Sequence, residues 1–122
     1  MSDIRLQRMA QVLVHYSLGI KEGERLAIRA DVQAGPLVKE VVREALRVRA
    51  YPDTFITLPG VREIILKEGS DEQLNYIPPT EHLITGEYET LLHIEAKENT
   101  RRLSGIDPAR LVLARRAAQE MQ

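Results

Sequence analysis

Residues 25–59 carry the pattern that most limits what this chain can fold into. RLAIRA (25–30) alternates, with Leu, Ile and Ala on one side and two arginines on the other, which predicts a strand with one well-buried face. Pro36 then begins an apolar-striped helix predicted to run to about residue 48, and YPDTFITLP (51–59) contains a second strand centred on 55–58. Two strands joined by a helix form a βαβ unit, so we expect them to be parallel with a right-handed crossover.

The other elements extend this unit in both directions. The pattern predicts an amphipathic helix over 3–18, a broken helical region over 61–88, a third strand over 90–96 and a last helix that begins at Asp107-Pro108. The buried face of that last helix is expected to consist of Leu111, Ala114, Ala118 and Met121. Together these elements predict an α/β fold, with a small, mostly parallel sheet of about three strands and flanking helices. The length of 122 residues fits one domain, 1–122.

Several residues mark the expected helix ends. Asp3 is the predicted N-cap of the first helix and Gly19 its C-cap, and SDEQ (70–73) fits a capping box. Thr80, after Pro78-Pro79, is predicted to cap the next helical piece. Arg49 stands where a glycine would suit the end of the helix that begins at Pro36.

Composition excludes several classes of protein. A net charge of −1 provides no general attraction for nucleic acid or an anionic membrane, and no apolar run is long enough to cross a bilayer. The absence of cysteine excludes disulfides, thiolate zinc ligands and a cysteine nucleophile. The five arginines of residues 100–122 lack interleaved aromatic residues, so we interpret them as a solvated or partner-contacting surface. No signal-peptide core is present at the N-terminus, which favours the cytoplasm.

His93-Ile-Glu95 is the pattern that most resembles a catalytic or metal site. The spacing puts His93 and Glu95 on one face of a strand, but the other histidines, His15 and His82, are isolated in sequence and no third ligand accompanies the pair. We interpret the pair as a polar strand face, on which Glu95 pairs with an arginine of the strand over 25–30. No catalytic or metal-binding residue is therefore predicted in this chain.

The loop 96–108 leaves the carboxyl end of the third strand, the edge at which open parallel sheets bind ligands. Asn99 and Thr100 are its candidate substrate contacts, and the alternative is a capped connection without a ligand. ADVQAGPLV, after the first strand, contains neither a dinucleotide fingerprint nor a P-loop, and no serine lies in a nucleophile elbow.

The order of these segments resembles a known family. LGIKEGERLAIRA, GPLVKEVVREAL, AYPDTFITL and YETLLHIEAKENTRRLSGIDPARL together are similar to the N-terminal region of the thermophilic metallo-aminopeptidases of the aminopeptidase T, AmpS and PepS type. The resemblance covers roughly residues 5–120 and is most specific in the run E-x-N-T-x-x-L-S-G-I-D-P-x-R at 98–110.

The resemblance implies an exopeptidase that removes N-terminal residues from peptides with two divalent metal ions, zinc, cobalt or similar. It places the metal ligands in a C-terminal catalytic domain, to which no residue here corresponds, and it implies a homodimer and a peptide substrate. We therefore expect an N-terminal domain of a longer chain truncated near Gln122, inactive and metal-free alone. The alternative is a self-contained α/β binding or interaction module without catalysis.

Overall fold

The computed structural model of the chain describes residues 3–95 and 111–115. Its elements are, in order, α1 (Ile4–Val12), β1 (Arg25–Asp31), α2 (Gly35–Arg47), β2 (Tyr51–Thr57), α3 (Val61–Glu68), α4 (Asp71–Leu74), α5 (Pro79–Glu87), β3 (Thr90–Glu95) and β4 (Leu111–Arg115). A π-helical turn, Leu13–Ser17, continues α1, and a 3-10 turn, Val32–Ala34, precedes α2. None of the described helices has the length and apolar character that a membrane span requires.

The strands form one sheet in the order β2-β1-β3-β4. β1 lies between β2 and β3 and is parallel to both, with Arg29 opposite Phe55 on one side and His93 on the other. The predicted α/β fold, its parallel strands and its βαβ unit are confirmed.

The fourth strand corrects the prediction of a last helix. Residues 111–115 pair antiparallel with β3, with Leu113 opposite His93 and Val112 opposite Ile94. LVLAR is a short apolar run, and such a run satisfies a helical pattern and a buried strand equally well. The open edge of β3 offers backbone hydrogen bonds to this segment, and this tertiary pairing decides between the two. The rest of the predicted helix, including Ala118 and Met121, lies outside the described residues.

The main core lies on one face of the sheet, beneath α1 and α2. Alternate residues of β1 and β3 supply its floor, which consists of Leu26, Ile28, Ala30, Leu92 and Ile94. Val14 from the turn after α1 and Leu37 and Val41 from α2 cover them, and all of these side chains are buried. The apolar stripe of α2 therefore faces the sheet, as its three- and four-residue spacing predicts.

The opposite face of the sheet is covered only over part of its surface. Ala27, Leu91 and Ile84 of α5 form a second, smaller core, against which Phe55 and Tyr88 pack. The expectation that β1 buries one face is therefore incomplete, because Ala27 on its other face is also fully buried.

The predicted caps Asp3 and SDEQ are confirmed, while the C-cap of the first helical segment is Leu18, and Gly19, with φ of +58°, is the residue after it. The Asp3 side chain accepts a hydrogen bond from the Arg5 amide at 2.8 Å, and Ser70 and Gln73 form the capping box. Thr80 is not the N-cap of α5, because that helix already begins at Pro79. The fixed φ of proline suits the first helical position, and its missing N–H costs nothing there.

The segment that follows β2 contributes little to either core. α3 has no buried residue, and the larger apolar side chains between residues 56 and 77 are exposed, namely Ile56, Leu58, Val61, Ile64, Ile65, Leu66, Leu74, Tyr76 and Ile77. A run of exposed apolar side chains of this length is unusual for a monomeric surface.

Candidate functional site

The carboxyl edge of the sheet, between β1 and β3, is where this fold is expected to bind a ligand. From β1 the chain crosses through α2 to β2 on one side, and it later returns to β3 on the other side. Adjacent parallel strands whose connections leave in opposite directions open a crevice outside their carboxyl ends.

Polar side chains line the partly covered face of the sheet near this edge. Arg29 of β1 lies opposite His93 of β3, and its guanidinium forms an ion pair with Glu81 of α5 at 2.7 Å. His93 Nε2 lies 3.8 Å from Oε2 of Glu95, and 31% of the His93 side chain is exposed. These side chains form a partly solvated face with both signs of charge.

The predicted cross-strand partner of Glu95 is wrong. Among the described residues Arg29 pairs with Glu81, and Arg25 pairs with Glu87 and Glu89. α5 packs over this face and brings Glu81 to Arg29, an arrangement that strand spacing alone does not reveal.

The described ranges, 3–95 and 111–115, contain no group of three or more histidine and acidic side chains arranged to hold a metal ion. A dinuclear centre needs several convergent ligands, and His93 with Glu95, next to the cationic Arg29, does not fit one. The other two histidines lie elsewhere, His15 beside α2 and His82 on α5.

The candidate substrate contacts Asn99 and Thr100 lie outside the described residues. Glu95, the last residue of β3, is at the carboxyl edge, and these two residues follow it by four and five positions. Their role as cleft contacts stays a prediction.

The structure shows a buried carboxylate between the first helical segment and α2 that the sequence did not predict. The side chain of Glu44 of α2 is 6% exposed, its Oε1 lies 2.8 Å from His15 Nε2, and its Oε2 accepts a hydrogen bond from Arg47. Burial raises the pKa of Glu44, but the hydrogen bonds from His15 and Arg47 outweigh it and leave that pKa below its ordinary value. His15 therefore anchors the first helical segment to α2, a role that no local sequence pattern indicated.

The amino edge of the sheet is held by a second polar cluster. Glu89 accepts hydrogen bonds from the backbone N–H of Arg25 at 2.7 Å and from its guanidinium at 2.8 Å. The hydrogen bonds from Arg25 lower the pKa of Glu89 to about 2. Tyr88 donates a hydrogen bond to Asp53 at 2.6 Å, and this bond raises the pKa of Tyr88. These contacts join β1 and β2 to the segment that leads into β3, so we interpret the cluster as a structural one that stabilises the sheet and not as a catalytic site.

The described residues therefore define a class: an α/β domain with a polar sheet face and, over the ranges given above, no metal cluster. The chain belongs to the thermophilic metalloprotease (M29) family, whose profile matches residues 2–122. This confirms the family resemblance drawn from the sequence.

The fold is similar to the solved structure of wild-type AmpT from Thermus thermophilus, with a TM-score of 0.61 and 15% identity over 86% of this chain. The chain spans 28% of the length of that protein. Comparison with curated proteins finds no match.

Proposed function

We propose that this chain is the N-terminal domain of a dinuclear-metal aminopeptidase that removes N-terminal residues from peptides. In this proposal the metal ligands belong to a C-terminal catalytic domain of the same polypeptide, and this chain alone is inactive and binds no catalytic metal. The complete enzyme is proposed to be a cytoplasmic homodimer.

The observation that carries the proposal is the family match over residues 2–122, taken with the absence of a metal-binding group from the part of the chain that the structure describes. The match assigns the chain to a metal-dependent peptidase family. The histidine and acidic side chains of residues 3–95 and 111–115, however, do not form a group that could hold a pair of metal ions. The ligands are therefore proposed to come from polypeptide outside this chain, and the 28% coverage of AmpT is consistent with that division.

The proposed role of this domain is to form one wall of the substrate cavity. A bound metal pair would supply the activated water that attacks the peptide bond. The proposed contribution of this chain is to exclude water and position the peptide along the carboxyl edge, with the neutral hydrogen-bonding groups of Asn99 and Thr100, which follow β3 in sequence, as the proposed contacts. The ion pair between Arg29 and Glu81, at 2.7 Å, is proposed to provide charged side chains beside the bound peptide.

An assay of peptide hydrolysis tests the proposal. Leucine p-nitroanilide is incubated with Co²⁺ or Zn²⁺ and either this chain or the polypeptide encoded by the same reading frame continued past Gln122. We expect hydrolysis only with the longer polypeptide, and we expect EDTA to abolish it. Metal-dependent turnover by the 122-residue chain contradicts the proposal, and a natural stop codon after Gln122 favours the self-contained binding module.

A further inference from the structure

Among the residues that the structure describes, β2 is an edge strand of the sheet, and a groove lies between β2 and α2. Its volume is about 490 Å³, and its lining includes the apolar side chains Val38, Val42 and Ile56, the Thr54 side chain and the cationic Lys39 and Arg43. We propose that this β2–α2 groove binds a separate extended peptide, which adds to β2 as a further strand and places a carboxylate at Lys39.

The backbone of β2 offers hydrogen bonds on this edge. The Tyr51 amide donates to the Glu24 carbonyl at 2.8 Å, so Tyr51 and the residues at even spacing from it face β1. The alternate residues, Pro52, Thr54 and Ile56, present their backbone groups outward. Pro52 lies at an outward position, so its missing N–H removes no hydrogen bond to β1. Thr54 and Ile56 have outward N–H groups that can donate to an added strand.

The side chains make this edge continuous with the groove. Thr54 lies opposite Ile28 and Ile56 opposite Ala30, so both share the sheet face that α2 covers. Ile56 is nevertheless 46% exposed, because α2 does not extend over it completely. Every second side chain of an added strand would lie above this face, where apolar groups would cover Ile56 and Val42.

The charges in the groove favour a peptide that carries a carboxylate. Arg43 forms an ion pair with Glu40 at 2.7 Å, which satisfies its charge, and Asp31 at the end of the groove makes interactions of its own. Lys39 has no ion-pair partner among the described residues, so it remains available to an acidic group.

The charge of Lys39 also disfavours a second copy of this chain as the occupant. Antiparallel pairing of two β2 edges about a two-fold axis would bring the Lys39 side chains of both copies toward one groove, and like charges there oppose association. The proposal concerns peptide docking alone and does not rest on the proposed aminopeptidase role.

Fluorescence anisotropy with a defined peptide tests the proposal. The probe is fluorescein-labelled Ser-Val-Thr-Glu-Thr-Val-Ser, in which Val, Glu and Val share one strand face. We expect saturable binding to the 122-residue chain. Thr54→Pro removes an outward N–H and should weaken binding at least about tenfold, whereas Thr54→Val keeps that N–H and should leave binding unchanged.

Charge reversal gives an independent test with a matched control. Lys39→Glu should weaken binding of the probe at least about tenfold and restore binding of a probe with Lys in place of Glu. Lys67→Glu makes the same change on α3, away from the groove, and should have no effect. Circular dichroism checks that each variant is folded.

Probes N-methylated on alternate residues keep the test independent of protein folding. An added strand donates through one set of alternate N–H groups, so only one of the two methylated probes should lose affinity. Equal binding of both, or no saturable binding up to about 1 mM, overturns the proposal. Concentration-dependent dimerisation that Thr54→Pro abolishes also overturns it and assigns the edge to a second copy.

Discussion

Replacement of Arg49 by glycine should stabilise this protein. Arg49 has φ of +65° and is the only non-glycine residue with positive φ in the described part of the chain. It follows α2 at the C′ position, where its amide donates to the Leu46 carbonyl and the Ala50 amide donates to the Ala45 carbonyl, both at 3.0 Å. These two bonds define a Schellman motif, which glycine adopts without steric cost.

The expected gain follows from two opposing contributions. The left-handed conformation costs an L-residue roughly 1–2 kcal/mol, and glycine loses about 0.5–1 kcal/mol more backbone entropy on folding than a residue with a Cβ. The Arg49 side chain is exposed, so its removal loses little packing. The difference predicts that Arg49→Gly raises the free energy of unfolding by about 0.5–1 kcal/mol. For a chain of this size that corresponds to a rise in Tm of roughly 2–4 °C.

Urea unfolding followed by circular dichroism at 222 nm measures this difference. Arg49→Ala is the matched control, because it removes the same guanidinium but keeps the Cβ that makes positive φ unfavourable. We expect the alanine variant to be no more stable than the parent protein. Equal stabilisation by glycine and alanine would assign the gain to the lost charge, and no gain from glycine would refute the argument from backbone strain.

Three further substitutions test the polar contacts. His15→Ala leaves the buried Glu44 carboxylate with one fewer donor and should lower the free energy of unfolding by about 1–2 kcal/mol. When Glu44 has first been replaced by glutamine, His15→Ala should lower the free energy of unfolding by less, and a double-mutant cycle measures this difference. The folded pKa of Glu89 is depressed to about 2, so its contribution to stability is present above the unfolded pKa near 4.5 and is lost as the pH falls through 2. Glu89→Gln should therefore reduce the loss of unfolding free energy over this acidic range, as measured by urea titrations at a series of pH values. Tyr88→Phe removes the 2.6 Å bond to Asp53 and should cost about 1 kcal/mol near neutral pH, measured by thermal unfolding. Because the folded pKa of Tyr88 is raised, this difference should persist below pH 10 and decline as the pH rises through the folded pKa.

Elements with strong local patterns were predicted correctly. The alternation in RLAIRA and the stripe that follows Pro36 determine which faces are buried, and the structure places Leu26, Ile28 and Val41 together in the core. The unusual Arg49 was also visible from sequence, because a helix end without glycine still requires a residue in the left-handed region.

The errors arose where tertiary pairing outweighs local pattern. Residues 111–115 fit a helical stripe, but the open edge of β3 accepts them as a strand. The pairs between His15 and Glu44 and between Arg29 and Glu81 join residues distant in sequence, so spacing along one element could not reveal them. His93 and Glu95 were correctly placed on one face of a strand, because the two-residue period of a strand is a local property.

Titration of the 122-residue chain with Zn²⁺ and with Co²⁺ by isothermal calorimetry most directly tests the central proposal, that this chain does not itself hold a metal centre. We predict no saturable heat of binding at stoichiometric metal, and no difference between the parent protein and His93→Ala. Tight binding of one or two metal ions per chain, lost in His93→Ala, would contradict the interpretation of His93 and Glu95 as a structural strand face.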